Sequence, residues 1–406
     1  MTSKMTPETT PETTSRAMTP VAIIGSGQTN HAKERSDVSQ PELVREAVDA
    51  ALQDAEILPE DIDAVIFSNM ELFEGRAFPE LWVAEGAYGN GKPVFKVATG
   101  GTSGTSACIA GFHQAGSGIF DTVLVVGFEK HSEGHTQTGM ALVDPFWDRS
   151  VASGALGNFA LSISQYVSEY MAGRGVTEEH AAQVAVKARR NAANNPHAHL
   201  QMPDLTVDEV LASRMLAEPL HLLDMCPQSD GAAAIVVASR DTARKRGKAA
   251  AWVHGAATRH DQPYLGDLDR RLVTTRAQRS AAASAYAQAG ITKPLRDLDV
   301  AEIYEPATYA ELAWYEALGF CEDGQAGRLI DDGITQMDGE LPVNPSGGVL
   351  STNPVGASGV IRVAEASTQL LGRAGRRQVD GARTALATGY GVYAWSDVIV
   401  LRSEMP

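Results

Sequence analysis

Short apolar runs and amphipathic stretches alternate along most of this chain, and that alternation predicts an α/β fold. Val21–Gly27 is an apolar run closed by glycines, the pattern of a buried strand entering a tight turn. From Pro41 onward, Leu43, Val44, Ala47, Val48, Ala51 and Leu52 fall on one helical face. A polar loop at 59–63 then leads into a second buried strand, Ala64–Phe67. The same unit returns roughly 235 residues later, as a small-residue helix at 280–290, a polar loop at 294–299 and a strand at 300–304. Asp121–Gly127 and Ala382–Gly389 form another matching pair, each an apolar strand running into glycine. Duplication on this scale predicts two similar α/β layers packed on one another, residues 19–245 and 246–406.

Two segments have a different texture. Residues 1–18 are polar and Pro-rich, with Pro-Glu-Thr-Thr repeated at 7–10 and 11–14, and predict a disordered tail. Residues 130–225 interrupt the first half as an inserted loop domain, a long excursion of the kind that usually serves function. Within it, Thr177 is a helix N-cap, with acids in the first turn and arginines in the last.

Composition removes several function classes. The 406 residues carry 34 Lys+Arg against 50 Asp+Glu, a formal charge of −16, which disfavours nucleic-acid binding. No apolar run of about 20 residues suits a membrane span, so a cytoplasmic protein is expected. Three cysteines, Cys108, Cys226 and Cys321, make neither a disulfide framework nor a zinc site, and no metal is expected. A Gly-x-Gly follows the first strand, but without a third glycine or a helix opening it is no dinucleotide fingerprint.

Candidate chemistry gathers in four glycine-dense loops: Thr99–Ala107, Asp224–Ala234, Asn344–Gly359 and Thr388–Val392. The first lies between a strand and a helix, where backbone N–H groups can face an anion or a developing oxyanion.

In their order and spacing these loops resemble the thiolase superfamily, in its sterol-carrier-protein-type branch. The matching pieces are Gly25–Thr29, Phe120–Lys130, Asn195–Ala198, Cys226–Ala234, and Asn344–Gly348 followed by Asn353–Gly359. The resemblance covers roughly residues 19–405. It implies duplicated βαβαβαββ halves in five αβαβα layers, normally as a homodimer, acting on coenzyme A thioesters.

The departures from the family pattern all fall at reactive positions. Gly101 stands where family thiolases carry the nucleophilic cysteine, and Cys108, about two turns further on, should face the core. Asn353 replaces the histidine of the Gly-His-Pro loop. The family's His-Asp segment reads Tyr304-Glu305-Pro306-Ala307, and the second catalytic cysteine is missing around Tyr390. Tyr304, Tyr390 and Asn353 are therefore the expected catalytic residues. Gly101, Glu305, Gly356 and Gly391 are expected to line the substrate. Arg270 and Arg271, in the densest basic cluster, are expected to meet the coenzyme A tail.

This combination resembles the cysteine-less thiolase-like aldolases that shorten steroid side chains. It implies retro-aldol cleavage of a β-hydroxyacyl-CoA, with coenzyme A as part of the substrate and no bound cofactor. It also implies a small partner carrying a zinc ribbon and an OB fold. Two alternatives stay open. One is an acyltransferase using Ser103 or Ser106 as nucleophile; the other is a non-catalytic subunit that binds acyl-CoA or lipid.

Overall fold

The computed structural model describes residues 19–135, 138–139, 171, 175–261, 275–391 and 395–406. The tail at 1–18, much of the inserted segment, and both Arg270 and Arg271 lie outside the described residues.

The first half begins with β1 (Val21–Gln28), α1 (Gln40–Ala55) and β2 (Ala64–Ser68). α1 starts after Ser39, whose backbone N–H donates to Glu42 at 2.8 Å, and it buries the expected apolar face. β3 (Val94–Val97), α2 (Ser103–Gly116) and β4 (Thr122–Lys130) follow. In the inserted segment, α3 (Glu178–Ala192) has its Thr177 side chain capping the His180 N–H. The half closes with β5 (Asp230–Ser239).

The second half repeats the plan with β6 (Ala251–His260), α4 (Arg276–Ala289), β7 (Val300–Glu302), α5 (Thr308–Ala317), α6 (Val355–Leu370), β8 (Thr384–Gly391) and β9 (Trp395–Arg402). β7 stops before Tyr304, leaving that residue at the strand's exit.

These nine strands form one sheet in the order β3-β2-β4-β5-β1-β6-β9-β8-β7. Its two halves are joined through β1 and β6, at Ala22↔Trp252 and Ile23↔Ala251. Outward from that seam the pairings match: antiparallel, antiparallel, then parallel. The counterpart of β3 is reduced to a single parallel bridge, Ala301↔Val343.

Alternation along the strands sorts the core into layers. Ala22 and Ile24 of β1 face α1, whereas Val21 and Ile23 face a central core with α2, α6 and Ile399 and Leu401 of β9. On the far side, Leu386, Val398 and Val400 pack against α4. The result is the five-layered αβαβα arrangement, with α2 and α6 as the middle layer.

Those two helices touch backbone to backbone. A Cβ at Gly104 would lie 2.5 Å from the Val360 nitrogen, and one at Gly359 would collide with the Thr105 nitrogen. Small residues at the crossing bring both N-termini to one place, and the candidate site lies there.

Candidate active site

Gly101 precedes α2 in the loop that follows β3. A Cβ at Gly101 would be built into the Tyr390 carbonyl oxygen, with the Tyr304 phenol oxygen 3.3 Å away. A side chain does not fit at this position without displacement of β8. Cys108 is fully buried in the central core, where burial pushes its thiol far above the ordinary range.

The Tyr304 phenol beside Gly101 is almost fully buried, and burial raises it well above the usual tyrosine range. It therefore holds its proton at neutral pH and acts as a donor. Its backbone is fixed on both sides: the Tyr304 N–H donates to Thr388 Oγ1 at 2.9 Å, and the Tyr304 carbonyl accepts from Trp314 Nε1 at 2.8 Å.

The phenol donates to Asn353 Oδ1 at 3.3 Å, and Ser358 Oγ donates to the same oxygen at 2.8 Å. On the other side of the amide, Asn353 Nδ2 donates to Cys226 Sγ at 3.2 Å. A primary amide offers two acceptor sites and two N–H donors. Both acceptor sites and one N–H are thus engaged, which leaves one N–H without a partner among the described residues. The Asn353 backbone is clasped as well, its N–H donating to Ser229 Oγ at 3.1 Å and its carbonyl accepting from the Ser229 N–H at 3.3 Å. Ser229 Oγ also meets His199 Nδ1 at 2.9 Å. Burial lowers the His199 imidazole from its ordinary range and so keeps it neutral.

The other expected residues are placed differently. Gly389 and Gly391 of β8 face Thr105 and Thr102, so Tyr390 between them points across the sheet. The Tyr390 ring packs edge-on against Trp314 at 4.8 Å, and its carbonyl rather than its phenol borders Gly101. Gly391 adjoins Gly100, completing the glycine floor. The Gly356 N–H is committed to Glu129 Oε2 at 2.8 Å, across the two halves. Glu305 is fully buried and accepts the Leu350 N–H at 3.1 Å, with its carboxyl pushed up to about 8 by burial.

Cys226, Ser229, Ser358 and His199 were not among the expected site residues. Cys226 and Ser229 sit in the matched loop 226–234 and Ser358 in the matched loop 353–359, so a signal for them existed. His199 shows its role only once Asn353 is placed. Ser106 Oγ donates to the buried Asp397 Oδ2 at 2.6 Å, which ties α2 to β9. No group of three His, Cys, Asp or Glu side chains among the described residues is arranged to hold a metal. No helix among them is long and apolar enough to cross a membrane.

Comparison with known proteins gives the arrangement a context. Residues 21–241 match the thiolase N-terminal domain, and residues 255–404 match the thiolase C-terminal domain-like family. An acetyl-CoA acetyltransferase of Methanothermobacter thermautotrophicus is 34% identical, over 92% of this chain and 97% of its own length. Human sterol carrier protein 2 is 30% identical, over 92% of this chain and 70% of that protein. The solved structure of the Ltp2-ChsH2(DUF35) aldolase superposes with a TM-score of 0.81 at 28% identity, covering 95% of this chain and 99% of that one. Human mitochondrial 3-ketoacyl-CoA thiolase shares the fold, with a TM-score of 0.71 at 16% identity, covering 95% of this chain and 98% of that one.

Proposed function

The chain belongs to the thiolase superfamily, in its sterol-carrier-protein-type branch, and from that premise we propose that it cleaves a β-hydroxyacyl-CoA by a retro-aldol reaction without a cysteine nucleophile. The observation that carries the reading is Gly101. The place of the family nucleophile is closed by the Tyr390 carbonyl, and a protonated phenol stands beside it. The likeness to an aldolase supports the same reading.

In this proposal the β-hydroxyl proton passes to water as the hydroxyl oxygen becomes a ketone. The Cα–Cβ bond breaks, and its electron pair moves into the thioester to give an enolate. The open N–H of Asn353 donates to the enolate oxygen, Tyr304 delivers a proton to Cα, and the proton released from the β-hydroxyl returns through water to the Tyr304 phenolate. One proton leaves and one is returned, so the products are a ketone and a shortened acyl-CoA with no redox change. Preorganised donors aimed at the developing charge are the largest contribution such a site makes.

A bulky lipid such as a steroid side chain is the proposed acyl group, because sterol carrier protein 2 is among the relatives. The working form is proposed to be a homodimer, assisted by a small zinc-ribbon and OB-fold partner. The name of the aldolase neighbour, which pairs two components, favours such a partner. A second reading, acyl transfer, is favoured by the acetyltransferase relative and by the Ser106–Asp397 contact.

The deciding experiment supplies a β-hydroxyacyl-CoA and looks for ketone, then supplies acetoacetyl-CoA with free coenzyme A and looks for acetyl-CoA. Ketone from the first alone supports the lyase. Acetyl-CoA from the second, abolished by Ser106→Ala, overturns it in favour of acyl transfer.

A further inference from the structure

Arg189, in the last turn of α3, is only 1% exposed, yet no carboxylate among the described residues lies within ion-pair distance of it. The other buried cations have such partners: Lys187 pairs with Glu311, Arg362 with Glu302, and Arg377 with Glu365. Arg189 Nη1 instead donates to the Leu350 carbonyl and, at 3.3 Å, to Ser351 Oγ. Its Nε has no hydrogen-bond partner among the described residues.

The acids nearest in its field are otherwise engaged. Asp224 accepts from Thr308 Oγ1 and from the His221 N–H, each at 2.8 Å. Glu305 accepts the Leu350 N–H through one oxygen, and its other oxygen meets no donor among the described residues. Its carboxyl, pushed up to about 8, is mostly protonated at neutral pH and does not cancel the guanidinium. Among ionisable groups Cys226 acts most strongly on Arg189, and Arg189 in turn favours the Cys226 thiolate, after the Asn353 hydrogen bond and against Glu305; Cys226 is also the residue that receives the Asn353 amide.

We propose that Arg189 is a positioning residue that also acts through its charge. It holds the Leu350–Ser351 turn that leads into Asn353, and its positive charge, met by no carboxylate at ion-pair distance among the described residues, favours the enolate anion formed there. An unpaired buried cation is costly to keep. A charge held in place beforehand, at a site where negative charge develops, gives that cost a purpose. The inference rests on the retro-aldol reading for its effect on rate. Its effect on the local potential does not depend on that reading.

Cys226 reports that potential directly, because the thiolate is the form that alkylates. The test uses the full-length chain with Cys321→Ser, which leaves Cys226 as the accessible thiol beside the buried Cys108. Arg189→Met keeps the volume and removes the charge, whereas Arg189→Lys keeps the charge. At fixed pH, Arg189→Met is expected to slow iodoacetamide alkylation of Cys226 by about 3- to 10-fold, a unit of pKa being tenfold in thiolate. In the same variant kcat for cleavage should fall about tenfold or more, with KM changed less than about twofold. Arg189→Lys should alkylate at close to the parent rate and lose less kcat.

A folded Arg189→Met with unchanged alkylation overturns the electrostatic inference. Should the Met variant not fold, Arg189→Gln takes its place: alkylation at least about threefold slower than in Arg189→Lys upholds the inference, and equal alkylation in the two overturns it. If the parent chain cleaves no β-hydroxyacyl-CoA, the function proposal fails on its own, and the alkylation comparison still settles the charge.

Discussion

Changing Tyr304 to Phe removes one oxygen from a buried ring while the Thr388 and Trp314 contacts to its backbone stay in place. If that oxygen protonates Cα, kcat should drop by about 10²–10⁴-fold with little change in KM. Tyr390→Phe should behave differently, because its ring packs on Trp314 across the sheet from the glycine floor. A near parental rate with a lower thermal midpoint is expected, and a rate loss equal to that of Tyr304→Phe would contradict the assignment. Gly101→Cys should not create a thiolase, since the new Cβ meets the Tyr390 carbonyl; destabilisation by about 1–3 kcal/mol is expected instead.

Glu305 makes a pH prediction. Its carboxyl is pushed up from 4.5 to about 8 by burial, so over that interval the unfolded chain sheds a proton that the folded chain keeps. Its stabilising contribution is complete below about pH 4.5 and is lost as pH rises toward 8. Glu305→Gln retains the acceptor for Leu350 and removes the titration. Its stability, followed by thermal midpoint, should gain on the parent steadily between pH 5 and pH 8, by on the order of 3 kcal/mol in unfolding free energy. A constant gap across that range would show that the Glu305 carboxyl titrates normally.

Residue identity at the departing positions was legible, because Gly101, Asn353 and Tyr304 stand out against the matched loops. Their partners were not. Nothing in the sequence around Ser229 or Ser358 says that each will bind Asn353, more than one hundred residues away in the case of Ser229.

Among the elements, α2 and α6 carry the site, and their contact at Gly104 and Gly359 permits no added atom. Gly359→Ala should therefore force the helices apart, costing about 1–3 kcal/mol and reducing kcat more than it raises KM. Measuring thermal midpoint beside kcat checks this, and an unaffected rate would mean that the helix spacing does not set the geometry of Asn353 and Gly101. The N-terminus of α6 is itself anchored in the first half: the Gly356 N–H donates to Glu129, and the Val355 N–H donates to His131 Nε2 at 3.5 Å. Apolar patterning predicted α1 and α4 well because each buries one regular face, and the central strands because they are short apolar runs buried on both faces. It said little about α6, which is buried on all sides and so has no polar face to set a period. β7 is shorter than the apolar run 300–304 suggests, because the chain leaves the sheet to carry Tyr304 toward Gly101.

For the whole molecule, duplication was the most legible feature, since it repeats every signal once. What one sequence does not display is which surface meets another molecule. The free edge of the sheet at β3 exposes Val94 and Phe95, and the neighbouring segment exposes Phe78, Leu81 and Trp82 at 61%, 72% and 64%. An unpaired edge strand beside such a patch is a natural place for a second copy to dock. The double change Trp82→Asp and Phe95→Asp should convert the proposed homodimer to a monomer in light scattering. A dimer that survives both changes would put the interface elsewhere.

The meeting of α2 and α6 also bears on assembly. Gly100 and Gly101 come from one half, Tyr304, Asn353 and Gly391 from the other, and the seam at β1 and β6 is only two residue pairs long. On the proposed mechanism neither half holds the whole centre, and turnover requires that the two dock. A chain cut in the turn between Arg246 and Ala250 and produced as two separate fragments should therefore be inert in either tube, and should regain turnover on mixing, with a rate that follows the product of the two fragment concentrations.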